Sequence, residues 1–418
     1  MRHLLLPCCL LAMLTSCKKD KDDNDPISNN KAVTWIKTFG GTNYDFAKSI
    51  VQLPDGDYVM AGTTRSSDGD IPGSRFGYDP WIARIDTLGN KVWSNAFGTN
   101  ADEHTGGLIA TPDGGFVIVG HTGFNFDTTS NQGFAIKTNS SGSQVWRKDF
   151  VTSADSRVHD IVATSDGGML VAGYTTTGTG RDARDGWIAK LDANGNEVWN
   201  KVYGGSKEDQ VASIIAADGG YVVAGYTSSS DLDITGNKGS FDGWLFKINE
   251  AGTIQWSKTY GGTGKDYLRS LARTNDGGYV SVGNSTSNNG DISGNRGNFD
   301  EWVVKVDASG NKQWVKTFGG SNEEYVTSVV ATTDGGYLSI GFTNSTDHDV
   351  IRTSGDFGGW LIKMDANGNK TASSTYGDSY DELVDDIIKT SDGGYIIAGQ
   401  TFNPAKTYDA WLVKIGPL

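Results

Sequence analysis

The sequence predicts an all-β protein: a seven-bladed β-propeller with four antiparallel strands per blade, the ring closed by the N-terminal strand completing the last blade. Three observations carry this. A turn motif recurs seven times at nearly constant spacing, each interval holds four strand-like segments with no helical period, and the chain starts and stops part-way through a unit.

The motif is Asp-Gly-Gly, an aromatic, an apolar run and Gly, as in Asp276-Gly277-Gly278-Tyr279-Val280-Ser281-Val282-Gly283. It recurs at Asp55, Asp113, Asp166, Asp218, Asp334 and Asp392, with Asp57 in place of the second Gly in the first copy and Met169 in place of the aromatic in the third, at intervals of 58, 53, 52, 58, 58 and 58 residues. Units of this size stack around a shared core, so 418 residues need not divide into separate domains.

The unit from Phe39 to Phe97 shows the pattern. Phe46 to Leu53 forms strand A, and Pro54-Asp55-Gly56-Asp57 is a tight turn with Pro at its second position. Tyr58 to Gly62 is strand B, a long loop from Thr63 to Asp79 follows, and Trp81 to Ile85 is strand C. A Gly-containing turn leads to strand D, Lys91 to Phe97. Prolines fall in turns, loops or strand starts, where a missing N–H costs little. Repeated four-stranded units fit a propeller.

All 12 Trp fall in two recurrent slots. Strand C carries Trp81, Phe134, Trp187, Trp244, Trp302, Trp360 and Trp411; strand D carries Trp35, Trp93, Trp146, Trp199, Trp256, Trp314 and Ala372. Each Trp can bury about 150–250 Å², about 4–6 kcal/mol at most. Their expected role is to pack one blade on the next. The first strand, Val33 to Phe39, is a D strand with no unit before it; the last, Trp411 to Ile415, is a C strand with no D after it. Together they complete one blade. An open solenoid would instead need polar capping units.

Residues 1–16 read as a leader: Arg2 and His3, then an apolar run from Leu4 to Leu14 that is too short to span a bilayer. Leu14-Thr15-Ser16-Cys17 resembles the lipobox of bacterial lipoproteins, which implies acylation of Cys17 and anchoring of the protein in the outer membrane through acyl chains such as palmitate. The 3 cysteines are Cys8, Cys9 and Cys17, so no disulfide is expected in the mature chain. Residues 17–31 are charged and non-periodic and read as a disordered tether. An acid-rich run behind an acylated Cys is similar to the export signal of surface lipoproteins, which implies the cell surface; a spacer facing the periplasm is the alternative. The net charge of −14 argues against nucleic acid as a partner, since phosphates demand Lys/Arg patches.

Residues 32–418 form the propeller. Asp-Gly-Gly-Tyr, Gly-Gly before strand A and Asp-x-Trp before strand C resemble the secreted β-propeller repeats of bacteria, the SBBP-type group. The resemblance implies fold and export, and its members share no single activity. The turn Asp307-Ala308-Ser309-Gly310-Asn311-Lys312-Gln313-Trp314 is also similar to repeats of quinoprotein propellers and the outer-membrane assembly lipoprotein. Its spacing departs by one residue from the former and the unit count differs, so quinone binding does not transfer.

Loops D–A and B–C are longer than turns A–B and C–D and share the opposite face, the expected binding surface. Three constellations lie on these loops or at their ends. Asp45, Glu103, Asp209, Asp266, Glu324 and Glu382, with Ser156 beside Asp155 in blade three, mark the entry to strand A. They read either as a cation-attracting ring or as acceptors of backbone N–H groups, and repetition in nearly every blade favours the second. Asp68, Asp70, Gly73 and Asp79, then Asp231, Asp233, Gly236 and Asp242, then Asn289, Asp291, Gly294 and Asp300, are similar to calcium loops of the EF-hand kind. Position five is Pro, Thr or Ser, position twelve is Asp instead of Glu, and blade six has Arg352 and Gly358 in place of Gly and Asp. Calcium is therefore the one candidate cofactor. Finally, blades two and three have short loops and unusual residues, His104, His121, Arg157, His159, Arg181 and Arg184, a candidate anion-binding corner for a uronate or an acidic tail.

The chain has no H-E-x-x-H, G-x-S-x-G or P-loop, and no Cys after Cys17. The leading expectation is a monomeric, non-catalytic binding or scaffold module for a protein or glycan ligand. A carbohydrate-binding protein or a polysaccharide-degrading enzyme is the second, and an envelope-assembly scaffold facing the periplasm the third.

Overall fold

A computed structural model of the chain describes residues 33–72, 77–123, 131–150, 155–176, 184–351, 357–376, 382–402 and 407–418. They form seven four-stranded antiparallel sheets, each ordered A-B-C-D, and the chain is a seven-bladed β-propeller. Among the described residues there is no helix. In blade one the strands are Asp45–Gln52, Tyr58–Thr64, Asp79–Ile85 and Lys91–Ala96. Strands B and C extend beyond the predicted ends, because Thr64 pairs with Asp79 across the root of the B–C loop.

The ring closes as predicted. Val33–Phe39 pairs antiparallel with Tyr408–Ile415, with Phe39 opposite Ala410 and Trp35 opposite Lys414. Trp35 also reaches blade one, where its Nε1 donates to the Thr87 carbonyl at 3.2 Å. A strands of neighbouring blades touch around the axis.

Seven hydrophobic clusters hold the ring, and each spans two neighbouring blades. The one joining blades seven and one contains Phe39, Ile50, Trp81, Ile396 and Leu412. Strand C tryptophans are the buried half of the aromatic set: Trp81, Trp244 and Trp302 are fully enclosed. Strand D tryptophans lie half-exposed at the rim, stacked on the C–D turn of the next blade; a Cβ on Gly310 would lie 2.9 Å from the Trp256 ring. Packing between blades is thus the role of both slots.

The organising motif works through its Asp and both glycines. In blade five Asp276 Oδ1 accepts from the Gly278 N–H at 3.1 Å, and its carboxylate pairs with Lys305 of strand C at 2.9 Å. Gly277 has φ +81°, a left-handed conformation that costs glycine nothing. A Cβ on Gly278 would drive into the Val306 carbonyl oxygen. Turn A–B is therefore tied to the end of strand C in the same blade.

Candidate functional site

Every strand A carries a β-bulge at the same place. Register shifts between Ala47 and Ser49, Thr105 and Gly107, Val158 and Asp160, Val211 and Ser213, Leu268 and Ser270, Val326 and Ser328, and Val384 and Asp386. A bulge leaves one residue outside the ladder and re-aims its side chain. Those residues are Lys48, Gly106, His159, Ala212, Arg269, Thr327 and Asp385, and all seven line one cavity of about 450 Å³ on the propeller axis. No two are alike. The bulge thus makes an asymmetric site from a repeated fold.

The residue after each bulge forms a second ring below. Here blade reaches to blade: Asp160 Oδ2 accepts the Ile214 N–H at 2.8 Å, and Asp386 Oδ2 accepts the Ile50 N–H at 3.1 Å. Burial pushes the Asp160 carboxyl up to about 6 and raises that of Asp386. In blade five Ser270 does the same job for Val329 at 3.3 Å.

Above the bulge ring, the mouth on the D–A and B–C face is walled by aromatic side chains. Over blades four to six, Tyr226, Phe241, Tyr267, Phe299 and Tyr325 follow one another at centroid separations of 5.7, 5.6, 6.0 and 5.8 Å. With Glu208, Arg269 and Asn284 they enclose about 430 Å³. The exposed Arg269 guanidinium lies 5.5 Å from the Tyr226 centroid and 5.2 Å from that of Tyr267. Such stacking holds a guanidinium while leaving its N–H edge available.

The predicted cluster of blades two and three reaches the same mouth. His159 is a bulge residue, and its Nδ1 donates to the Val211 carbonyl at 2.8 Å. Burial lowers its pKa to about 4, so its imidazole is neutral at pH 7. His104 stacks between Tyr78 and His121, at 5.3 and 5.6 Å, and burial lowers both histidine pKa values. Buried His121 lines the axial cavity, and neither ring nitrogen has a hydrogen-bond partner among the described residues. Arg157 and Arg184 lie over Tyr174, at 5.9 and 4.9 Å, and Arg184 lies 3.7 Å from Glu208. Arg181 falls outside the described residues, as do Gly73, Arg352 and Cys17.

The carboxylates at the entry to strand A do not face the channel. Asp266 is fully buried; Oδ2 accepts from the Gly262 N–H at 2.7 Å and from Ser287 Oγ at 2.8 Å, and Oδ1 accepts from Ser285 Oγ at 2.5 Å. Asp45, Asp209 and Glu324 repeat the bond to the glycine N–H. Arg147 reaches Glu103 at 2.6 Å, and Thr401 donates to Glu382 at 3.4 Å. Ser156 is buried where the others carry acids, and its Oγ accepts the Gly133 N–H at 3.3 Å.

Side chains of the three calcium-like loops point at the Gly-Gly turn before strand A. Asp68, Asp231 and Asn289 each accept a backbone N–H there, from Thr42, Ser206 and Thr263, at 2.8 Å. Asp70, Asp233 and Asp291 accept from Gly40, Gly204 and Gly261 at 3.3, 3.1 and 3.1 Å. The residue that follows, Ile71, Ile234 or Ile292, plugs the core between blades. Buried Asp242 and Asp300 cap Lys238 and Arg296 N–H groups at 3.0 and 2.8 Å, and burial raises both to about 6. Asp79 is equally buried. Among the described residues no three His, Cys, Asp or Glu side chains gather closely enough to hold a metal ion. Through these bonds the residues of the calcium-like spacing tie the B–C loop to the D–A loop.

The sequence reading missed the bulge ring, above all Lys48, Arg269 and Asp385. A signal was present: three residues after the strand A carboxylate, the repeats hold Lys, Gly, His, Ala, Arg, Thr and Asp while both flanks stay similar.

No family model matches the chain. The regulatory protein FlaEY of Caulobacter vibrioides is 28% identical over 233 residues, 50% of this chain but 24% of its own length, so the chain spans about a quarter of that relative. Among solved structures, Sqt1 from Chaetomium thermophilum aligns over 93% of this chain and 99% of its own, at 11% identity and TM-score 0.45. Drosophila Semaphorin 1b aligns over 92% and 87%, at 9% identity and TM-score 0.48.

Proposed function

We propose that the chain is a non-catalytic binding module of the cell envelope, tethered to the outer membrane through Cys17 and presenting its D–A and B–C face outward. The observation that carries the binding role is the convergence of seven unlike bulge residues on one axial cavity under an aromatic mouth. A purely structural ring would keep those positions alike, as it keeps the tryptophan slots. Partial similarity to a relative named as regulatory is in keeping with action by binding. The leader, the lipobox-like Leu14-Thr15-Ser16-Cys17 and the charged tether support the anchor.

Binding is tested by immobilising the intact domain and its Phe299→Leu variant and comparing captured envelope proteins and glycans. Loss of a ligand in the variant is expected; identical capture by both would refute the site. Anchoring is tested by fractionation: Cys17→Ala is expected to leave the membrane fraction, and protease added to whole cells to digest the surface-exposed wild type. A carbohydrate ligand is the specific form this reading takes, because ring after ring along the mouth supplies apolar aromatic surface for the C–H groups of sugar rings.

A further inference from the structure

We infer that the aromatic mouth over blades four to six takes an acidic oligosaccharide of the uronate class, with Arg269 binding its carboxylate. The inference rests on the proposed binding role of the channel mouth and adds the chemistry of the ligand.

Three features converge. First, Arg269 is a cation poised for an anion. Its guanidinium is held by Tyr226 and Tyr267, and among the described residues it makes no ion pair and no hydrogen bond. Other basic groups nearby are engaged: Lys48 with Asp385, and Arg184 with Glu208. A guanidinium fork matches a carboxylate by two parallel N–H···O bonds. On a chain of net charge −14, a cation that lines a cavity without a carboxylate partner among the described residues is a selective feature.

Second, the wall is a track and not a cage. Five half-buried rings continue over three blades, and Phe342 extends the series 5.4 Å beyond Tyr325. A single aromatic side chain of a peptide would need one enclosed slot. A row of rings tilted by 31–82° from one to the next suits a ligand with several rings, whose C–H groups pack on aromatics.

Third, polar groups flank the rings. Glu208 is an acceptor for hydroxyl groups, and Asn284 lines both cavities. His121, buried with both ring nitrogens unpartnered among the described residues, borders the adjoining axial cavity where a further sugar hydroxyl would reach. A uronate unit supplies all three complements: a carboxylate, an apolar ring face and hydroxyl donors. The cavity volume of about 430 Å³ falls within the range of small-ligand sites.

The test uses the full folded domain and titration calorimetry against galacturonate, mannuronate and glucuronate oligomers of four to six units, a neutral galactose oligomer of equal length, and a peptide with a C-terminal aromatic residue. At least one uronate oligomer is expected to bind, at least ten-fold more weakly to Arg269→Gln, partly restored in Arg269→Lys, and more weakly as salt rises. Phe299→Leu is expected to weaken the same oligomer, with circular dichroism confirming the fold of each variant. Failure of every uronate oligomer, equal affinity for the neutral oligomer, or no effect of Arg269→Gln overturns the uronate inference. Peptide or neutral-sugar binding that falls in Phe299→Leu but not in Arg269→Gln would leave the mouth as the binding site while removing the anion. Any ligand indifferent to Phe299→Leu would remove the mouth itself.

Discussion

Lys48 Nζ lies 2.5 Å from Asp385 Oδ1, joining the bulge of blade one to the bulge of blade seven across 337 residues of chain. The pair sits inside the channel where the ring closes. Asp385 holds the Lys48 ammonium above its ordinary pKa. Because the Lys48 side chain is 44% exposed, water screens the pair and its stabilisation is modest. A double-mutant cycle with Lys48→Ala and Asp385→Ala, read by urea unfolding, is expected to give a coupling of about 0.5–1 kcal/mol that shrinks in 1 M salt. No coupling would mean that closure depends on strand pairing and packing alone.

Glu301 is expected to make stability fall as pH rises. It is buried at a position where four other blades have Gly133, Gly186, Gly243 and Gly359. Burial pushes its carboxyl up to about 8, with Glu324 and Asp349 adding repulsion. The folded state therefore binds the proton more tightly than the unfolded chain, whose ordinary carboxyl titrates near 4.5. The stabilising contribution is fully present below that value and is lost as pH climbs through 8, at a slope of up to about 1.4 kcal/mol per pH unit. Denaturation of Glu301→Gln against wild type at pH 5 and pH 8 is expected to show a much flatter profile in the variant.

Leu232 holds φ at +58° and is 68% exposed. The same place in blades one and five is Gly69 and Gly290, at φ +66° and +69°. A leucine there carries a left-handed strain of about 1 kcal/mol and gains no burial in return. Leu232→Gly is expected to raise stability slightly, by about 0.5 kcal/mol after the glycine's extra unfolded-state entropy is subtracted. A lower melting temperature would show that Leu232 has a contact worth more than its strain.

Gly278→Ala is expected to cost at least about 2 kcal/mol, because the new methyl meets the Val306 carbonyl inside a tied turn. Gly335→Ala, where a Cβ meets nothing within 4 Å but φ is +87°, should cost only about 1 kcal/mol. Equal costs would show that turn A–B relaxes freely.

Asp233→Ala removes the acceptor of the Gly204 N–H and is expected to lower stability by about 1 kcal/mol, equally in chelator and in millimolar calcium. A loss seen only in calcium would support a metal site in these loops.

What the sequence determined by itself was everything written in repetition. Seven Asp-Gly turns, six of them Asp-Gly-Gly, set the blade count, the tryptophan slots set the packing between blades, and the half-units at Val33 and Ile415 set the closure. Each follows from local chemistry that a single chain segment carries: turn residues, alternation, and an unpaired strand. The tertiary structure decided what the repeats point at. Whether Asp266 faces a channel or a glycine N–H depends on a hydrogen-bond partner elsewhere in the fold, and Asp68 meets the Thr42 N–H for the same reason. The bulge was illegible to a period-two reading because one extra residue in strand A reverses which side chains face the axis. Arg269, Lys48 and Asp385 lie hundreds of residues apart in part and meet only because closing the ring brings seven strands around one axis.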